Sequence, residues 1–125
     1  MNGAVLDTGA LIAVERGARA LAVLIGEARR SNEPMTVPAG CVAQAWRDPR
    51  RQARLAAFLR QPNVKIVPLD DQDARRVGLL LASSRTTDVV DAHVAVCGQR
   101  LGQLVVTGDP GDISRLAPTV RILPL

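Results

Sequence analysis

The sequence predicts an α/β fold, a three-layer sandwich in which a parallel five-stranded sheet is flanked by helices. Short apolar runs alternate with helical stretches along all 125 residues. Those runs lack the polar–apolar alternation of a strand with one wet face, so they read as strands buried on both sides, which a parallel sheet covered by helices provides. Hydrophobic residues make up 47% of the chain and charged residues 22%, and no linker, repeat or low-complexity tract interrupts it. A single domain spanning 1–125 follows.

The elements follow in order. Residues 3–6 are an apolar strand that delivers Asp7 to its C-terminal end, and a Thr8-Gly9 turn leads into a short helix at 10–14. Residues 18–30 carry Leu21, Leu24, Ile25 and Ala28 among arginines, the pattern of an amphipathic helix. Residues 35–37 form a second strand, and Pro38 suits the first turn of a helix that should stop near Asp48-Pro49. A further helix is expected over 50–60, then a Pro62-Asn63 turn and a third strand at 64–67. Asp70 is placed to cap a helix running to Leu81 and fading at Ser83-Ser84. Thr87 or Asp88 caps the next, which ends at Gly102. A fourth strand at 104–106, a small helix at 112–116 and a fifth strand at 120–123 complete the chain.

Composition excludes several classes. Cys41 and Cys97 with one histidine make neither a disulfide framework nor a structural zinc site, and read as buried small side chains. Apolar runs break within about ten residues, too short for a membrane span, so a cytoplasmic protein without membrane contact is expected. The net charge is +4, and every basic residue except Lys65 is arginine, the side chain suited to bidentate phosphate or carboxylate contact. Trp46 and Phe58 are the only aromatics, too few for a base-stacking platform. No glycine-rich phosphate loop follows the first strand. An Asp-x-Asp phosphatase is excluded by Gly9, and a receiver-like domain by the absence of a late lysine.

The chemistry lies in the carboxylates. Asp7 and Asp109 each follow a strand, and open α/β sheets bind ligands beyond such strand ends. Asp88 and Asp91, three residues apart at a helix start, project from one face. Clustered carboxylates repel unless a cation joins them, and Mg²⁺ or Mn²⁺ is the natural one for oxygen ligands. Capping is the simpler role of an aspartate before a Thr-Gly turn or at a helix start.

Val5-Leu6-Asp7-Thr8-Gly9-Ala10-Leu11-Ile12, Asp91-Ala92-His93-Val94-Ala95 and Val105-Val106-Thr107-Gly108-Asp109 resemble, in order and spacing, the three acidic motifs of the PIN-domain family. The chain length is similar to that of the toxins of bacterial VapBC toxin–antitoxin pairs. The resemblance implies a Mg²⁺- or Mn²⁺-dependent endoribonuclease acting on tRNA, rRNA or mRNA, a homodimer, and a cognate antitoxin partner. It makes Asp7, Asp91 and Asp109 the catalytic and metal-binding acids. The family's second acid, a glutamate, is here Gln44. A glutamine offers only a neutral carbonyl oxygen to a cation, making it a weak metal ligand at best, and Asp88 or Asp112 is the candidate to restore the charge. Three outcomes stay open: an active enzyme assisted by Asp88 or Asp112, a slow enzyme with weak metal binding, or an inactive module that binds RNA or the antitoxin. Thr8, Thr107 and Arg85 are the candidate substrate contacts. His93, on a different helix face from Asp91, is expected outside the metal shell.

Overall fold

A computed structural model describes residues 2–125. The strands are β1 (Ala4–Leu6), β2 (Met35–Pro38), β3 (Val64–Val67), β4 (Leu104–Thr107) and β5 (Ile122–Pro124). The helices are α1 (Thr8–Glu15), α2 (Arg19–Arg30), α3 (Ala39–Ala45), α4 (Ala53–Leu59), α5 (Asp71–Ser84), α6 (Val89–Leu101) and α7 (Pro110–Leu116). All strand pairs are parallel, in the order β3-β2-β1-β4-β5. The chain walks outward from β1 to β3, returns through α5 and α6 to β4 on the other side of β1, and continues to β5. Strand order therefore reverses between β1 and β4, and the crevice at their C-terminal ends is where such sheets bind ligands. Right-handed crossovers put α1–α4 on one face and α5–α7 on the other, in keeping with the contacts of α1 with α2, α3 and α4 and of α6 with α5 and α7.

The three central strands supply the core. Ala4, Val5, Leu6, Met35, Val37, Val105 and Val106 are all fully buried. The expectation of uniformly buried strands fails at the edges: β3 leaves Lys65 and Ile66 exposed, and β5 leaves Leu123 exposed. Each edge strand has a neighbour on one side only, so apolar sequence there does not guarantee cover.

Several boundaries differ from the sequence expectation for local reasons. Pro38 ends β2 with extended backbone and precedes α3. That helix stops at Ala45, three residues before Asp48, because the Gln52 side chain replaces the helical partners: its Nε2 donates to Ala45 O, and its Oε1 accepts from the N–H groups of Arg47 and Asp48. Asp48 accepts from Arg50 N–H, a turn that delays α4 to Ala53.

Two glycines allow close approaches that set the site. A Cβ on Gly98 of α6 would lie 2.7 Å from Val105 Cγ2, so glycine lets α6 lie directly on β4. A Cβ on Gly9 would lie 3.3 Å from the Gly108 backbone, which brings the head of α1 against the loop after β4.

Candidate metal centre

The register pairs Leu6 of β1 with Val106 of β4, so Asp7 and Thr107 emerge side by side at the crevice. Asp7 is 3% exposed and serves as N-cap of α1. One carboxylate oxygen accepts from Ala10 N–H at 2.8 Å and the other from Gly108 N–H at 3.2 Å. That second bond ties β1 to the β4–α7 loop across the switch point. Thr107 is fully buried, and its hydroxyl accepts from Asp109 N–H at 2.8 Å. Expected at the substrate, Thr107 instead shapes the turn that presents Asp109.

From the opposite helical layer, Asp88 caps α6 by accepting from Asp91 N–H at 2.9 Å. The first turn of α6 is thereby set, and Asp91 faces Asp109 and Asp112. Each of Asp91, Asp109 and Asp112 offers a carboxylate oxygen, and the three oxygens lie within 4.8 Å of one another. The Asp91 carboxyl is pushed up from 3.8 to about 6, first by burial and then by the charges of Asp88, Asp109, Asp112 and Asp7. Four acids raise it, a concentration of negative charge that a bound cation would relieve. The donor set is all oxygen, as a hard divalent ion requires. Asp112, named from sequence only as a substitute for a missing charge, lies inside this trio. Asp7 and Asp88 lie outside the trio, but their charges reach Asp91.

A cavity of about 200 Å³ opens beside the trio, lined by Arg85, Thr86, Asp88, Asp91, Asp112 and Arg115 among others. Arg85 reaches it from the left-handed C-cap of α5, the position the sequence suggested for a phosphate contact. Arg115 was not anticipated. It pairs with Asp112 across three residues of α7, and an arginine three residues beyond an acid on a helix was the available signal. A larger cavity of about 490 Å³, between α5 and α6, is lined by Leu79, Leu80 and Val96 with Arg76 and Arg100 at its edges. It contains none of the clustered acids.

Gln44 stands on α3, exposed. Its carbonyl oxygen accepts from the Thr8 hydroxyl at 2.5 Å. Thr8, expected at the substrate, is therefore engaged with Gln44. Cys41, one turn earlier, is buried and its thiol is pushed up to about 12 by burial, too high for a nucleophile at neutral pH.

A second group of metal-compatible side chains lies apart: Asp73, His93 and Cys97, all buried. His93 Nε2 is 2.9 Å from Asp73 Oδ2, and Arg76 and Arg100 approach Asp73 Oδ1 at 3.2 and 3.6 Å. Two guanidinium groups already balance this carboxylate, so the group is an ion-pair network joining α5 to α6. His93 thus faces α5 and takes no part in the carboxylate trio.

A family model for the PIN domain matches residues 4–117. Among solved structures, a chain of VapBC2 from Rickettsia felis, determined bound to a DNA fragment from its promoter, superposes with a TM-score of 0.70. The two share 12% sequence identity over 98% of each chain, a likeness of fold. No curated protein matches the sequence.

Proposed function

The chain belongs to the PIN-domain family, and from that membership we propose that it is a divalent-metal-dependent endoribonuclease, the toxin of a VapBC-type toxin–antitoxin pair. The observation that carries the reading is the meeting of Asp91, Asp109 and Asp112 beside Asp7 at the crevice between β1 and β4. The superposition on a VapBC2 chain supports it at the level of fold.

In the proposed mechanism Asp91, Asp109 and Asp112 would hold Mg²⁺ or Mn²⁺, with Asp7 nearby. Such an ion, when bound, would supply Lewis acidity for the attack of water on a phosphodiester. The protein's own part is positioning. Two backbone N–H groups fix the Asp7 carboxylate, the Asp88 cap fixes the first turn of α6 beneath Asp91, and Thr107 fixes Asp109. Arg85, at the adjoining cavity, provides a bidentate donor for a phosphate, while Arg115 is paired with Asp112 beside it. Cleavage is in-line attack of water on phosphorus with departure of the 3′ oxygen, the outcome the family resemblance implies. RNA (tRNA, rRNA or mRNA) is the proposed substrate. A cognate antitoxin and a second copy of the chain are the proposed partners, and the cytoplasm is the proposed location. No helix among the described residues is long and apolar enough to cross a membrane.

Gln44 favours a second reading, a binding module without catalysis, since it removes a negative charge where the family pattern has glutamate. One experiment separates the two. Antitoxin-free protein is incubated with total RNA in Mn²⁺ or Mg²⁺, in EDTA, and beside an Asp91→Asn variant. Discrete fragments that require metal and Asp91 are the expected result. Intact RNA with a folded protein would leave the binding module as the better description.

A further inference from the structure

We propose that Gln44 is the residue that grips the RNA backbone at this centre, its amide nitrogen donating to a phosphate or ribose oxygen, and that it is not a metal ligand. The inference rests on the ribonuclease reading above and assigns a role to the residue that departs from the family pattern.

A glutamine has one acceptor oxygen and one nitrogen with two donors. Only the oxygen can ligate a hard cation. In Gln44 that oxygen lies 2.5 Å from Thr8 Oγ1, and between a carbonyl and a hydroxyl only the hydroxyl can donate. The Thr8 hydroxyl, donating to Gln44, sets which end of the amide faces the protein. It turns the amide oxygen inward and leaves the NH₂ group on the exposed side.

The surroundings give that NH₂ group its task. Thr8 directly follows Asp7. A Cβ on Gly40 of α3 would lie 3.2 Å from Val90 of α6, and the Cys41 thiol feels the charges of both Asp7 and Asp91. Gln44, held by the residue that follows Asp7, is joined to the acidic site through Thr8. Asp7, Asp88, Asp91, Asp109 and Asp112 already repel an incoming phosphate. A glutamate at position 44 would add to that repulsion. A neutral donor there meets the acceptor oxygens of the strand without weakening the cation site's need for carboxylates elsewhere.

The test measures RNA and metal binding separately. RNA affinity is read by fluorescence anisotropy with labelled bulk tRNA in Ca²⁺ buffer, and metal affinity by calorimetric titration with Mn²⁺ alone, for wild type, Gln44→Ala and Gln44→Glu. Circular dichroism checks that each variant is folded; an exposed side chain at this site should tolerate both changes. Gln44→Ala should weaken RNA binding about tenfold, the loss of one hydrogen bond to a charged group, with Mn²⁺ affinity unchanged. The same loss should reappear in KM while kcat moves little. Gln44→Glu should weaken RNA binding at least as much while tightening Mn²⁺. Weakened Mn²⁺ binding in Gln44→Ala with RNA affinity intact would make Gln44 a metal ligand and overturn the proposal, as would two unchanged affinities. A wild-type protein that neither binds nor cleaves RNA would instead overturn the ribonuclease reading.

Discussion

Asp91 shows how a single residue can lower stability in the service of a site. Its carboxyl is pushed up to about 6 by burial and by four neighbouring acids, so at neutral pH the folded state holds a charge it disfavours. Between about pH 7 and 4 the folded chain binds this proton more readily than the unfolded chain does, and the Asp91 contribution to stability grows as pH falls. Asp91→Asn removes the repelled charge and is expected to stabilise the fold by about 1–2 kcal/mol at pH 7.5, half the full linkage value because the group is partly solvated. Thermal melting checks this: a lower midpoint for the variant would mean that Asp91 already has a positive partner. The same melts with Mn²⁺ added should raise the wild-type midpoint and leave the variant nearly unmoved, since a ligand bound only by the folded state stabilises it.

At the scale of elements, α6 is the piece on which most depends. Its first turn carries Asp91, its middle is buried from Ala92 to Gly98, and it lies on the sheet through Gly98. Asp73 ties it to α5. Burial alone would raise the Asp73 carboxyl, but the hydrogen bond from His93, the charge of Arg100 and the contact from Arg76 outweigh burial and hold it below 3.8. A depressed carboxyl contributes stability above its unfolded pKa and loses it as pH falls through its folded value. Acid should therefore act in two opposed stages, a gain from Asp91 down to about pH 4 and a loss from Asp73 below it, visible as a maximum in melting temperature against pH. Asp73→Asn strips the buried partner from His93 and two arginines and should cost about 3 kcal/mol, measured by urea denaturation. A cost under about 0.5 kcal/mol, the range of an exposed pair, would mean that the network is solvated. Gly98→Ala should cost about 1–3 kcal/mol, because its methyl enters the space of Val105.

For the whole molecule, α5 presents an apolar face to the surface. Leu79 is 75% exposed, and the apolar cavity of about 490 Å³ beside it has no part in the carboxylate site. We propose this face as the contact of the proposed homodimer, to be tested by substitution at Leu79. Leu79→Glu would place a charge on that apolar face and should shift sedimentation from dimer to monomer, with RNA cleavage measured alongside. A variant that remains dimeric would put the interface on another face. The exposed half of α2, with Val23 53% exposed, is then next to be tested.

The alternation of short apolar runs and helices was enough to determine an all-parallel α/β sheet. Burial of a strand on both faces removes the polar alternation that any other arrangement would leave in the sequence. The same runs put Asp7 and Asp109 at strand ends, so their arrival at one crevice needed only that β1 and β4 be neighbours. The edge exposure of β3 and β5 was not legible, since an apolar run reads alike whether one or two strands flank it. Nor was the early end of α3, which depends on the Gln52 side chain folding back on Ala45. Membership of Asp112 in the carboxylate trio depends on how α7 leaves the β4 turn, where Thr107 holds Asp109. The engagement of Gln44 with Thr8 joins residues 36 positions apart. Local periodicity determined the elements and their layers, because burial imprints on neighbouring residues. Which acids meet, and which way a neutral amide turns, was decided only by tertiary structure, because those contacts join side chains from different elements and leave no local pattern.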